Sequence, residues 1–181
     1  MEKEPQPHYE LSKASADDAV AIRTLQAKSW IDTYPNEELG ISLEFIKERT
    51  DRWLLRDNLE KSKKHISDKV NDPTQFYRIA MLDKNIVGFV HVSTKENGAK
   101  YLEAIYTDPE TLGTGLGQTL MASASEWIGG NDVTLEVASY NDRAVRFYEK
   151  YGYKKVEGSE AMFAEIIPMF TMKRKGINHE V

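Results

Sequence analysis

The sequence predicts an α/β domain with a mixed, mostly antiparallel sheet of about six to seven strands and about four flanking helices. Three observations indicate this class. Strand-like and helix-like segments follow one another along the chain, tight-turn signals join the central strands, and a glycine-rich turn leads from a strand into a helix. The 181 residues, 40% of them hydrophobic, suffice for one core, so we expect residues 1–181 to form a single domain.

Before residue 70 the sequence predicts one strand and two helical regions. Ser15, followed by acidic residues, is a good helix start, and apolar residues recur three positions apart from Ala19 to Leu25. The predicted elements are a strand at 8–13, a helix from Ser15 to about Trp30, a loop at 31–40, and a helical region at about 42–66 that is broken once.

Three strand-like segments come next, at 76–82, 86–94 and 101–107. Only three polar residues separate the first two segments. Asn97-Gly98, a pair that favours hairpin turns, lies between the second and the third. These short connections predict an antiparallel meander.

A glycine-rich turn follows the third of these strands. Gly113, Gly115 and Gly117 precede a run with helical spacing, and the backbone amides of such a turn can bind a phosphate. The spacing fits neither common nucleotide motif, because Gln118 stands where a P-loop needs lysine and where a Rossmann fingerprint needs glycine. A flexible turn without a ligand is the alternative interpretation.

The segment 141–153 predicts a helix with a defined start and end. Asn141 is a good N-cap and Gly152 a good helix stop. Asn141, Ala144 and Tyr148 share one face of this helix because they are three or four residues apart. The neighbouring strands are expected near Val133, at 153–156 and at about 165–173.

Together these two segments resemble the two signatures of the GNAT acetyltransferases. The glycine turn is similar to the acetyl-CoA pyrophosphate loop of that family, and NDRAVRFYEKYGY is similar to its second signature. Leu112 replaces the Gln or Arg of the family pattern, a change that backbone donors would survive. The resemblance covers about residues 8–174 and implies the GNAT fold.

The resemblance also implies acetyl-CoA as cosubstrate. In the family, the strand before the glycine turn splays and its free backbone groups pair with pantetheine, while the Asn and Tyr of the second signature flank the thioester. The predicted cofactor-binding residues are Ile105, Tyr106, Thr107, Gly113, Thr114, Gly115, Leu116, Gly117, Gln118, Asn141 and Tyr148.

Acetyl transfer to an amine needs a base and an acid. The amine must lose a proton before it attacks, and the departing sulfur must gain one. Tyr148 is the predicted acid, since tyrosine is protonated at neutral pH. Glu103 is the candidate base, either directly or through water, because strand alternation places it on the same side as Ile105. An exposed strand carboxylate without a role is the alternative.

The acceptor is expected to contact the region between the first two helices. Trp30, Tyr34, Glu38 and Glu103 are the predicted substrate-binding residues, and Asp32 and Glu37 add to the acidic lining. SWIDTY resembles bacterial spermidine and spermine acetyltransferases of the PaiA type, which implies a polyamine acceptor. Core packing of Trp30 and Tyr34, another amine acceptor such as an aminoglycoside, an amino acid or a protein N-terminus, and a non-catalytic acyl-CoA sensor remain alternatives.

Composition excludes several functions. The chain has no cysteine, so thiol chemistry and disulfides are absent, and its four histidines show no metal-ligand spacing. The net charge of −5 disfavours nucleic acid and anionic membranes as partners. The sequence predicts neither a targeting nor a membrane segment, and we expect a cytoplasmic protein, with a homodimer as one alternative for its assembly.

Overall fold

The computed structural model describes residues 7–177, and in this range one sheet of eight strands is flanked by five α-helices. The strands are β1 (Glu10–Lys13), β2 (Gln75–Leu82), β3 (Asn85–Thr94), β4 (Lys100–Thr107), β5 (Val133–Ala138), β6 (Lys154–Lys155), β7 (Ala161–Phe163) and β8 (Ile167–Arg174). The helices are α1 (Ala19–Thr33), α2 (Leu43–Trp53), α3 (Arg56–Asn71), α4 (Leu116–Ile128) and α5 (Asp142–Lys150).

The strands lie in the order β1-β2-β3-β4-β5-β8-β6, and β7 pairs with β8. Every pair is antiparallel except β4 and β5, which run parallel. The predicted mixed, mostly antiparallel sheet is therefore confirmed, as is the meander of β2, β3 and β4.

Three details differ from the sequence prediction. α1 continues to Thr33 and ends just ahead of Pro35, so the loop expected from position 31 begins later. The second helical region divides once, into α2 and α3, as expected, but α3 continues beyond position 66 to Asn71 because Val70 extends its apolar face. β7 is missed, because its three residues are exposed and carry no alternation.

Apolar side chains cover both faces of the sheet. One face packs against α4 through buried residues such as Leu116 and Leu120. The other packs against α1 and α3 through Ile22, Leu25 and Ile66. β4 contributes side chains to both layers, so its backbone lies in the middle of the molecule.

His91 is a buried polar residue on the α1 side of β3. It is 7% exposed, its Nε2 lies 2.9 Å from Gln75 Oε1, and its ring stacks on Tyr77. Burial lowers the pKa of His91 to about 4, although the nearby Glu103 carboxylate opposes this shift. The imidazole is therefore neutral in the folded protein at pH 7.

We expect His91 to make the stability depend on pH. Below about pH 6.5 the unfolded chain protonates this histidine, while the folded protein resists protonation until about pH 4. The free energy of unfolding should therefore fall across this window, by at most about 3 kcal/mol from this group. Urea unfolding of wild type and His91→Gln between pH 7.5 and 4.5 tests this, since the variant should show a flatter slope. Equal slopes would contradict the assignment.

Candidate active site

β4 and β5 separate after their first two residues and open a cleft of about 350 Å³. The two strands pair only through Lys100 with Val133 and Tyr101 with Thr134. Beyond these pairs, β4 follows β3 and β5 follows β8. The cleft is lined by parts of α1, β4, the glycine turn, β5 and α5.

A β-bulge in β4 accounts for the separation. Adjacent β3 residues, His91 and Val92, pair with Ala104 and Leu102, so Glu103 is an extra residue in the ladder. A bulge bends its strand and increases the local twist. This bulge comes just after the last residue of β4 that pairs with β5, so it turns the rest of β4 away from β5.

Because of the bulge, the side chain of Glu103 points to the opposite face of the sheet from the one expected. Leu102 and Ile105 pack toward α4, whereas the Glu103 carboxylate binds Ser93 Oγ at 2.6 Å and Lys95 Nζ at 2.9 Å. Burial lowers the pKa of His65 on α3, and the negative charge of Glu103 opposes this shift. Glu103 therefore lies on the α1 side of the sheet, opposite Ile105. The prediction that the two side chains share a face is wrong, because strict alternation does not hold across a bulge.

The Glu103 carboxylate is ionised at neutral pH. Partial burial by itself would raise the pKa of Glu103, but the hydrogen bonds from Ser93 and Lys95 outweigh burial and lower the pKa below its usual range. Glu103 lines the cleft, as predicted for a base and acceptor contact.

The backbone of β4 presents free groups to the cleft. Asp108 N donates to Val87 O at 2.7 Å, so alternation along an antiparallel pair directs the polar groups of Tyr106 toward β3. The N–H and C=O groups of Ile105 and Thr107 then face the opening. Of the predicted backbone contacts, Ile105 and Thr107 are available, while Tyr106 offers only its side chain.

The glycine turn exposes a row of amides at the start of α4. Gly113 and Gly115 have φ of +81° and +87°, which L side chains rarely adopt. The first intrahelical bond of α4 runs from Thr119 N to Gly115 O at 3.0 Å, so the amides of residues 116–118 have no partner within the helix. The residues fit a pyrophosphate, because these amides and the positive helix end attract anions.

Thr114 is the exception within this turn. Its hydroxyl lies 2.6 Å from Tyr9 Oη, and its amide donates to Thr111 O at 3.2 Å. Both of its donor groups are thus already bonded inside the protein. We conclude that Thr114 anchors the turn to Tyr9, just ahead of β1, and is a poor ligand contact.

α5 contributes Asn141 and Tyr148 to the cleft. Asn141 caps the helix as predicted, since its Oδ1 accepts from Ala144 N at 3.1 Å, which leaves the side-chain NH₂ for a ligand. Burial raises the pKa of Tyr148, and the nearby Tyr106 and Tyr153 raise it further. Its hydroxyl therefore holds its proton at neutral pH.

Two hydrogen bonds donated by aromatic side chains fix the α1 side of the cleft. Trp30 Nε1 donates to Tyr106 Oη at 2.9 Å, and Tyr140 Oη donates to Tyr34 O at 2.8 Å. Burial raises the pKa of Tyr34 well above its usual value, and Tyr106, Tyr148 and Tyr140 add to this effect. Four tyrosines, Tyr34, Tyr106, Tyr140 and Tyr148, therefore lie close together at this side of the cleft.

The predicted acceptor residues divide into two groups. Tyr34 and Glu103 line the cleft. Trp30 is only 6% exposed, belongs to a core cluster and lies outside the cleft lining, so its role is to position Tyr106. Glu38 is exposed in the 3₁₀ turn Glu37–Leu39, outside the cleft lining.

Sequence reasoning missed two charged residues of the cleft, Glu136 and Arg143. Glu136 stands on β5 between the buried Leu135 and Val137, and this alternation could have identified it. Burial raises the pKa of Tyr101, and Glu136 and Glu103 raise it further. Both carboxylates therefore lie near Tyr101.

Two other kinds of feature, a metal-ligand group and a membrane-spanning helix, are absent from residues 7–177. No group of three or more acidic or histidine side chains there could hold a metal ion. Across the same residues, no helix has the length and apolar character needed to cross a membrane.

Comparison with known proteins agrees with this geometry. The family model of the acetyltransferase (GNAT) domain matches residues 44–175. The chain belongs to the GNAT acetyltransferase family. The GNAT fold expected from the two signatures is therefore confirmed.

Individual GNAT relatives are distant. A mycothiol acetyltransferase of Acidimicrobium ferrooxidans is 32% identical over 89 residues, which are 45% of this chain and 28% of that protein. The peptidyl-lysine N-acetyltransferase YjaB of Escherichia coli is 32% identical over 74 residues, 41% of this chain and 46% of that protein. The match thus spans less than half the length of either relative.

A solved GNAT structure covers nearly the whole chain. The PaiA N-acetyltransferase of Thermoplasma acidophilum, in complex with coenzyme A, superposes with a TM-score of 0.73 over 93% of this chain and 99% of that chain. Its sequence identity is 23%, so the likeness establishes the fold. The bound coenzyme A agrees with the acetyl-CoA predicted for this chain.

Leu112 offers a test of the anion site by gain of function. It lies on the cleft, is 46% exposed, and has an extended backbone that any residue can adopt. Leu112→Arg should tighten coenzyme A binding by about three- to tenfold at low salt, because it adds a cation beside the free amides. Isothermal titration calorimetry measures the change. Leu55→Arg is the matched control, since Leu55 is 58% exposed with φ −65° and ψ 143° and lies outside the cleft. Equal affinity in all three proteins would contradict a phosphate position at this turn.

Proposed function

We propose that the protein transfers an acetyl group from acetyl-CoA to a primary amine. The observation that carries this proposal is the cleft, in which free backbone groups of Ile105 and Thr107 lie beside the amides of the glycine turn. These groups, with Asn141, would hold the cosubstrate. Bound acetyl-CoA would supply a thioester as the acyl donor.

Tyr148 is the proposed general acid. Its pKa is raised by burial, so the hydroxyl keeps a proton that it can give to a departing thiolate. Its place on α5 is fixed by the Asn141 cap and by the edge contact of its ring with Phe147, at 5.6 Å between centroids.

Glu103 is the proposed base. Its carboxylate is ionised and lines the cleft, and it can accept the amine proton directly or through water. Ser93 and Lys95 hold one of its oxygens, so the other is left for the acceptor side. Lys95 would also limit the basicity of the carboxylate, which suits a relay that passes protons to solvent.

A polyamine such as spermidine or spermine is the proposed acceptor. Glu103 and Glu136 place two carboxylates in the cleft, and Tyr34 adds an aromatic surface for a cationic chain. The SWIDTY segment and the acidic net charge of −5 support the same choice. The exposed Asp32, Glu37 and Glu38 can attract a polycation but lie outside the cleft lining.

A protein lysine side chain is the second candidate acceptor, because one sequence relative is a peptidyl-lysine N-acetyltransferase. The two acceptors present the same alkyl amine. They differ in the second positive charge that only a polyamine carries.

A non-catalytic acyl-CoA sensor is disfavoured by the protonated Tyr148 and the ionised Glu103. The cytoplasmic location and the oligomeric state stay predictions.

Replacing Tyr148 tests the acid role. Tyr148→Phe keeps the ring packing and removes only the hydroxyl, so we expect kcat to fall by roughly tenfold to a thousandfold with little change in coenzyme A affinity. Single-turnover acetylation separates chemistry from product release. Tyr151→Phe is the control, since it removes a tyrosine hydroxyl at the end of the same helix and lies outside the cleft lining. Equal single-turnover rates in wild type and Tyr148→Phe would remove this residue from the mechanism.

Replacing Glu136 tests the acceptor. If this carboxylate binds the second charge of a polyamine, Glu136→Gln should raise KM for spermine and spermidine by about three- to tenfold and spare a monoamine. Glu38→Gln, which removes an exposed carboxylate outside the cleft, should leave all three KM values unchanged. Steady-state kinetics with these amines and a lysine peptide provide the measurement. Turnover of the peptide alone would reject the polyamine and leave acetyl transfer in place.

A further inference from the structure

A second cavity, of about 400 Å³, lies between α1, the end of α2 and α3. Its lining contains three basic side chains, Arg23, Lys61 and His65, and no acidic residue. Trp53 forms an aromatic wall, and Asn58 and Ser62 complete the lining with polar side chains. None of these residues lines the cleft between β4 and β5. The cavity is thus separate from the proposed acetyl-transfer site.

Arg23 is a half-buried cation without a counterion in the described part of the chain. Its Nε donates to Ser62 Oγ at 2.9 Å and its Nη1 to Gln26 Oε1 at 2.8 Å, both neutral acceptors. Among residues 7–177 no carboxylate forms an ion pair with it. A guanidinium has five N–H donors, so Arg23 retains donors beyond these two bonds. A partly desolvated charge is expected to be paired.

The neighbouring groups reinforce the positive potential. Partial burial and the positive charges of Lys69 and Arg23 lower the pKa of His65, and the opposing effects of Asp68 and Glu103 are smaller. Arg23 also lies 5.9 Å from the ring centroid of Trp53, which helps to fix its plane. The two hydrogen bonds and this contact hold the guanidinium ready for a ligand.

We propose that this cavity binds a small multivalent oxyanion, held by the free N–H groups of Arg23 and by the Lys61 ammonium. A planar guanidinium matches the oxygens of a phosphate in a bidentate manner, and the ammonium adds a second charge. Asn58 and Ser62 supply neutral polar contacts. The ligand supplies the counterion that the described residues do not give Arg23.

Inorganic phosphate at pH 7.5 and low ionic strength is the probe, with Trp fluorescence as the first readout because Trp53 forms a wall of the cavity. Wild type should bind it saturably. Arg23→Gln should weaken binding by tenfold or more, and Lys61→Gln by several-fold. Lys64→Gln is the matched control, since it removes a cation from the same helix that is already paired with Asp68 at 2.7 Å. It should bind as wild type does.

The pKa of His65, followed by NMR, is the second readout. A bound anion favours the protonated imidazole, so phosphate should raise the pKa of His65 in wild type and in Lys64→Gln but not in Arg23→Gln. Lys61→Gln keeps the proposal testable if Arg23→Gln does not fold, because Lys61 is exposed. Absence of saturable binding in wild type, or the same affinity in wild type, Lys61→Gln and Lys64→Gln, would overturn the site.

Discussion

The parting of β4 from β5 is the constraint on which the rest of the site depends. Two parallel strands that remained paired would satisfy their own backbone groups and leave no opening. Here pairing stops after Tyr101 and Thr134, and the bulge at Glu103 turns β4 away. Polar groups of Ile105 and Thr107 then need a partner, since unpaired backbone groups in an interior are costly. The cleft is therefore a place where the sheet offers free backbone groups to an extended ligand.

Backbone groups supply most of the contacts that we propose for acetyl-CoA, and these groups do not depend on which side chains are present. The amides of residues 116–118 and the positive end of α4 attract an anion whatever the side chains are. These backbone donors stay available with Leu112 in place of the Gln or Arg of the family pattern. Side chains act mainly on the opposite side, where Glu103, Glu136 and the tyrosines define charge and proton state.

Local chemistry made much of the fold predictable. The Asn97-Gly98 turn, the Asn141 cap and the Gly152 stop depend on residues next to one another, and each connects the elements that the structure shows. The site was harder to predict where contacts with residues distant in the sequence determine the position of a side chain. The sequence leaves Trp30 open between acceptor binding and core packing, and the structure shows a buried indole that bonds to Tyr106, 76 positions away.

The sequence by itself determined the order of the elements apart from β7, the glycine turn ahead of α4 and the Asn141–Tyr148 helix face, because periodicity and capping are properties of neighbouring residues. Only the tertiary structure decided which face Glu103 occupies, that Glu136 joins it, and that Thr114 is bonded to Tyr9. The reason is physical. A bulge arises from the mismatch of two paired strands, and a cleft arises where pairing stops, so neither is encoded by one segment alone.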